Sequence, residues 1–235
     1  MIRVSQVKEY RVRLKKQLGV DWRDEGLLSQ ALTHSSFTFE NRQAGLENNQ
    51  RLEFLGDAVL ELVISDYLYR NNPGRDEGEL TKLRAAVVCE PSLARVACGL
   101  ELGRCLSMGK GEERSGGRGR PSILADAFEA LLGAIYLDQG LSRAADILIR
   151  LLAPVIKDVM EGRLERDYKS ELQEIVQQRG EEPVQYVILK EVGPDHDKTF
   201  TAGVVYRGRV AGRGAGRSKK DAEQQAAKSA LIKIE

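Results

Sequence analysis

Residues 121–137 read PSILADAFEALLGAIYL, and only Asp126 and Glu129 in this run are charged. A helix that is apolar in nearly every direction has to lie inside a helical domain, not on its surface. The two acids stand at i and i+3, which places their carboxylates side by side. Two like charges in a dry setting are costly unless a cation or a proton compensates them. Taken alone, the pair has a bland alternative, in which each carboxylate caps a helix or pairs with an arginine. Residues 48–63, NNQRLEFLGDAVLELV, repeat the pattern and shift the balance. Glu53 and Asp57 lie at i and i+4 on one face of a second apolar helix. Glu61 continues the row but has slipped about 80° around from Glu53, since each i+4 step drifts about 40°. Gly56 costs about 1 kcal/mol in a helix interior, so it points to the close approach of another backbone. Together the two helices predict a four-carboxylate cluster. Oxygen ligands without His or Cys select a hard cation, magnesium or manganese, and favour metal-assisted phosphoryl transfer.

The surrounding chain supports a helical frame. Apolar residues recur at helical spacing through 27–32, 52–68, 80–88, 93–102, 123–137 and 144–159. Breaks fall at Asn71-Asn72-Pro73-Gly74, Glu90-Pro91-Ser92 and Asp138-Gln139-Gly140. The longest irregular stretch, GKGEERSGGRGRP at 109–121, has five glycines and four basic residues. It is expected either to lie along a polyanion or to be a solvated glycine loop. After the polar segment EGRLERD at 161–167 the period changes. A short amphipathic helix (169–178) precedes strand-like 184–192. An alternating run, 199–206, then turns through Arg207-Gly208 into 209–215. Residues 218–234 form an alanine-rich helix with Ser218-Lys219-Lys220-Asp221 as its capping box. The fold class is therefore an all-α domain followed by a small α+β (α-β-β-β-α) domain. The expected boundaries are 7–140 for the first domain, its last helix continuing to about 160, then a linker at 161–165 and the second domain at 166–235.

Composition narrows the partners. With 235 residues, 42% hydrophobic and 30% charged, the chain is neither a disordered acidic tail nor a membrane protein. No apolar run approaches about 18 residues, and residues 1–20 are peppered with Arg and Lys where a signal peptide would be apolar. Three widely spaced cysteines make neither a zinc knuckle nor a disulfide framework, which fits a reducing cytoplasm. The net charge of +1 conceals a run from Lys198 to Lys220 with seven basic residues and no acid. Such a run suits a phosphate backbone, its bland alternative being a solvated hairpin. Gly109-Lys110 is followed by Gly111 where a Walker A sequence needs Ser or Thr, so no nucleotide cofactor is expected.

LEFLGDAVLE at 52–61 resembles the signature of ribonuclease III, and ALTHSS at 31–36, EGELTKLRA at 77–85 and ILADAFEALLGAIYLD at 123–138 are similar to that family in the same order. EVGPDH at 191–196 and GRSKKDAEQQAA at 216–227 resemble a double-stranded-RNA-binding domain. The resemblance covers nearly the whole chain. It implies a magnesium-dependent endoribonuclease, with manganese able to substitute, that cleaves both strands of double-stranded RNA. Products would carry 5′-phosphate and 3′-hydroxyl ends with short 3′ overhangs, and substrates would be ribosomal RNA precursors and structured mRNAs. The competing class is a non-catalytic double-stranded-RNA-binding protein that reuses the fold, which loss of the cluster acids would favour. Carried over by position, one metal falls to Glu53, Asp126 and Glu129. The second metal falls to Asp57, also the catalytic aspartate, and to the shared Glu129, while Glu77 is an accessory acid. Gln50 departs from the pattern, since many members carry an acid there and an amide supplies no anionic ligand. Phe54 marks the contact of a homodimer. His34 is expected to be a structural hydrogen-bonding residue.

A-form RNA offers a shallow minor groove lined by 2′-hydroxyls and a narrow major groove lined by phosphates. Gln173, Glu174 and Gln177 on the first helix of the second domain are placed for one minor groove, and Pro194 and His196 for the next. Arg217, Ser218, Lys219 and Lys220 start the last helix, where the macrodipole also favours phosphate. With Tyr168, Tyr186, Phe200 and Tyr206 as its aromatics and no RNP1 pattern, this domain is poorly equipped to stack single-stranded bases.

Overall fold

The computed structural model describes residues 4–42, 45–162, 168–179, 182–193 and 198–234. The chain divides into two compact units, Met1–Leu164 and Glu165–Glu235, each with its own core. The first unit is helical: α1 (Val4–Leu18), α2 (Glu25–Ala31), α3 (Ser35–Glu40), α4 (Gln50–Asn71), α5 (Glu77–Val88), α6 (Glu90–Gly99), α7 (Leu102–Cys105), α8 (Lys110–Arg114), α9 (Pro121–Gln139) and α10 (Leu141–Met160). Its centre is the pair α4 and α9. Pro121 starts α9 where its missing N–H costs nothing, and Gly140, at φ +82°, ends it. Between them the helix buries Leu124, Ala127, Phe128, Leu131 and Ile135. Next, α10 lays the stripe Ile147, Leu148, Leu152 and Val155 against the same core. Among the described residues, no helix is long and apolar enough to cross a membrane.

Two elements differ from the expectation. Helix α1 carries too many charges for its spacing to announce it. Leu14 and Leu18 nevertheless insert fully into the core. Arg11 ties it down, donating to the Cys105 carbonyl at 3.0 Å, the Leu32 carbonyl at 3.2 Å and the Ser107 hydroxyl at 3.1 Å. The stretch 109–121 is not irregular: it folds into α8 and a 3-10 turn at Gly117–Gly119. Arg118 is mostly buried there, 2.8 Å from Glu113, and donates to the Gly103 and Leu106 carbonyls. Arg120 pairs with Glu112 at 2.8 Å. Two of the four basic residues therefore hold the segment together. At its other end Glu40 accepts from the backbone N–H groups of Lys110 and Gly111.

The second unit runs α11 (Tyr168–Gln178), β1 (Gln185–Val192), β2 (Thr199–Tyr206), β3 (Arg209–Gly216) and α12 (Lys219–Ile234). The sheet is antiparallel in the order β1-β2-β3. Arg207 and Gly208, both at positive φ, make the two-residue turn between β2 and β3. One face of α12 is alanine, with Ala222, Ala226, Ala227 and Ala230 fully buried. It meets a strand of alternating glycines: a Cβ on Gly212 or Gly214 would collide with the α12 backbone at Ala226. Ser218 caps the helix by accepting from the Asp221 N–H at 3.0 Å.

Candidate functional site

At Gly56 and Gly133 helices α4 and α9 meet backbone to backbone. A Cβ on Gly56 would collide with the Glu129 carbonyl oxygen, and one on Gly133 with that of Leu52. The backbone that Gly56 admits is thus α9 of the same chain. The crossing brings Glu53 and Asp57 of α4 beside Asp126 and Glu129 of α9. Glu53, Asp126 and Glu129 are half-buried and Asp57 is exposed. Burial pushes the Glu129 carboxyl up to about 7, and the charges of Asp57, Asp126 and Glu53 push the same way. Glu53 is raised by burial, then by Asp126 and Asp57. Asp126 is raised by burial and by Glu90, with His34 opposing.

None of the four acids has an ion-pair partner among the described residues, so the alternative of arginine-paired carboxylates is not what is found. No three His, Cys, Asp or Glu side chains among those residues stand close enough together, as placed, to hold a metal ion. Four oxygen donors that repel one another fit a hard cation that keeps water or takes phosphate oxygens as its remaining ligands. They do not fit a softer metal, which would ask for imidazole or thiolate.

The neighbours have other duties. Glu61 pairs with Arg84 of α5 at 2.9 Å, as its rotation off the common face foretells. Glu77 stands exposed on the first turn of α5, accepts from the Thr81 hydroxyl at 3.0 Å, and is not among the charges acting on the cluster. Gln50 is the first residue of α4, its N–H donating to the Asn48 side chain. His34 is the N-cap of α3: Nδ1 accepts from the Ser36 N–H at 3.3 Å and lies 2.8 Å from its hydroxyl, which leaves the ring proton on Nε2. Glu90, on the first turn of α6, is a fifth charge near Asp126 that sequence reasoning passed over as part of a helix break. Its only sequence signal was an acid at a helix start.

In the second unit, Gln173 is half-buried and Gln177 exposed on α11, and Glu174 belongs to the same helix. Pro194 and His196 lie outside the described residues. Arg217, Ser218, Lys219 and Lys220 are exposed at the start of α12. Lys219 is partly engaged, 3.3 Å from Glu191 and over the Phe200 ring. Lys220 has no ion-pair partner among the described residues.

Two family descriptions match the chain: Ribonuclease-III-like over residues 24–156 and Double-stranded RNA binding motif over residues 168–234. Ribonuclease 3 of Pelotomaculum thermopropionicum is 78% identical over 220 residues, 94% of this chain and 91% of that protein. Ribonuclease 3 of Desulforamulus reducens is 65% identical over 232 residues, 99% of this chain and 94% of that one. A crystal structure of the nuclease domain of ribonuclease III from Campylobacter jejuni matches with a TM-score of 0.56 and 45% identity, covering 61% of this chain and 93% of that one. A second structure of that nuclease domain, described for flexibility in a region involved in dimer formation, matches with a TM-score of 0.57 and 46% identity over 60% of this chain and 95% of that one.

Proposed function

The chain belongs to the ribonuclease III family, and on that premise we propose how this double-strand-specific endoribonuclease makes its cut. The family implies a divalent cation, and the hard, all-carboxylate donor set favours magnesium, with manganese as substitute. Glu53, Asp126 and Glu129 would hold one ion, and Asp57 with Glu129 a second. When bound, the ions supply a more acidic water and neutralise charge on the phosphoryl group in flight. The carboxylates fix the position of that charge, and the glycine-mediated crossing fixes the carboxylates. No side chain is needed as a nucleophile. The leaving group is the 3′-oxygen, which gives 5′-phosphate and 3′-hydroxyl ends. Glu77 serves as an accessory acid outside the cluster.

Duplex RNA is gripped by the second domain through Gln173, Glu174 and Gln177 in one minor groove and Pro194 and His196 in the next. Arg217, Ser218, Lys219 and Lys220 meet the phosphates between. Cutting both strands with short 3′ overhangs calls for two clusters, and a homodimer through Phe54 provides them. Ribosomal RNA precursors and structured mRNAs in the cytoplasm are the natural substrates.

The observation that carries the metal assignment is the unpaired acid quartet with Glu129 pushed to about 7. A long duplex incubated with and without magnesium tests it. Wild-type protein cuts only with the ion, whereas Glu129→Gln, which keeps size but loses the charge shared by both sites, binds the duplex and does not cut. Substantial magnesium-dependent cutting by that variant would remove Glu129 from the centre.

A further inference from the structure

The sheet of the second unit ends in two edges, and they differ. On β1 the extra residue Leu189 breaks the ladder in mid-strand, and Lys190 and Glu191 follow it. Bulges and charges of this kind discourage pairing with another strand. On β3 the irregularity falls at Ala211, between Val210 and Gly212, which leaves residues 212–216 in regular register with β2. Gly212, Gly214 and Gly216 turn towards α12, so only Arg213 and Ala215 project from the other side of this stretch. The β3 edge is therefore eight residues long, straight over its second half and thinly covered.

Beside it runs a groove of about 600 Å³ between β3 and α12. Arg213, Arg217 and Lys228 line it against a single acid, Asp221, and Ile232, 75% exposed, forms an apolar wall. Neither Arg213 nor Arg217 has an ion-pair partner among the described residues. We propose that this edge docks an extended acidic segment of a protein partner, which adds to the sheet as a further strand beside β3. Main-chain bonds would hold such a strand, with Arg213 selecting an acid on one of its faces and Lys228 an acid on the other. The edge presents N–H and C=O groups in turn. A peptide strand satisfies both in register, whereas the phosphates and 2′-hydroxyls of an RNA strand do not repeat at the spacing of a β-ladder. A second copy of β3 is disfavoured too, since antiparallel pairing centred on Arg213 sets Arg213 against itself and Arg209 against Arg217. The groove thus adds a protein-binding edge to a domain whose proposed RNA contacts lie on α11, the 194–196 segment and the start of α12.

The test uses the full chain with a labelled octapeptide of alternating Glu and Val, and the alternating Lys-Val peptide as control. The Glu-Val peptide should bind saturably at micromolar concentrations and slow hydrogen exchange of β3 amides, while the Lys-Val peptide does not bind. Arg213→Glu with Lys228→Glu should weaken the peptide by about tenfold or more while duplex affinity stays at the wild-type level. The milder Arg213→Ala with Lys228→Ala, checked for the wild-type circular dichroism spectrum, should weaken it in the same direction. Absence of saturable binding up to millimolar peptide overturns the proposal. So does protection of amides elsewhere than β3, or a charge-reversed variant that loses duplex binding, which would make the groove part of the RNA face.

Discussion

Glu129 must ionise in a half-buried seat beside three other carboxylates, and the effort shows in a carboxyl raised to about 7. Its proton is held more tightly in the folded than in the unfolded chain. The stability it lends is complete below the ordinary carboxylate range and is lost as pH rises through about 7. Without divalent ions, the first domain should therefore lose about 1–2 kcal/mol between mildly acidic and mildly alkaline pH, a figure reduced for solvent screening at this half-open site. Thermal melts across that range would show the loss, and Glu129→Gln should flatten it. Magnesium should restore the wild-type midpoint at alkaline pH, and a pH-independent wild-type midpoint would contradict the coupling. Such acids were legible because charge is rare on an apolar helix. Asp138 was not, since Asp-Gln-Gly reads as a helix stop. In the fold its buried carboxylate accepts from the N–H groups of Arg23 and Asp24, and from the Gln139 amide at 2.6 Å. Nothing local announces partners more than a hundred residues away.

Helices and strands with an unbroken period were readable, and those held by specific polar contacts were not. The α4 and α9 patterns come through because burial dictates them. Helix α1 escaped because Arg11 anchors it through carbonyls on α7 and beyond α2, contacts that leave no period. Residues 109–121 looked like a loop because glycine and arginine are read as solvent-loving, yet Arg118 is an internal brace. The glycines of β3 carried a signal that was there to be read: alternate positions stripped of side chains, opposite a helix with an alanine face. Gly214→Ala puts a methyl into the α12 backbone and should cost the second domain about 1–3 kcal/mol. Duplex affinity should fall with it, while the melting of the first domain stays unchanged. A variant with normal duplex affinity and an unshifted second transition would show that the helix can rise off the strand at no cost.

At the scale of the whole molecule, Phe54 on α4 is the most exposed large hydrophobic side chain among the described residues, at 81%, with Leu62 at 56% and Tyr69 at 73% lying about 60–80° around the same helix. In the proposed mechanism one cluster cuts one strand, so paired cuts would need a second cluster related by a two-fold axis. Burying Phe54 against a second copy would contribute through both halves of that axis, and truncating a buried aromatic costs about 3–5 kcal/mol each time. Phe54→Ala should sediment towards monomer and lose staggered cutting, whereas a fully dimeric variant with normal products would move the contact elsewhere. The sequence could not show how exposed Phe54 is, because apolar positions on a central helix all look like core. The meeting of α4 and α9 through Gly56 and Gly133 has a further consequence, for how the sequence can drift. Where two backbones touch, no rotamer is left to adjust and no neighbour can compensate, so the joint has no neutral variants to wander through. In a saturation library selected for activity, positions 56 and 133 should accept nothing but glycine, while larger core positions such as Leu60 and Leu131 still accept isoleucine or methionine.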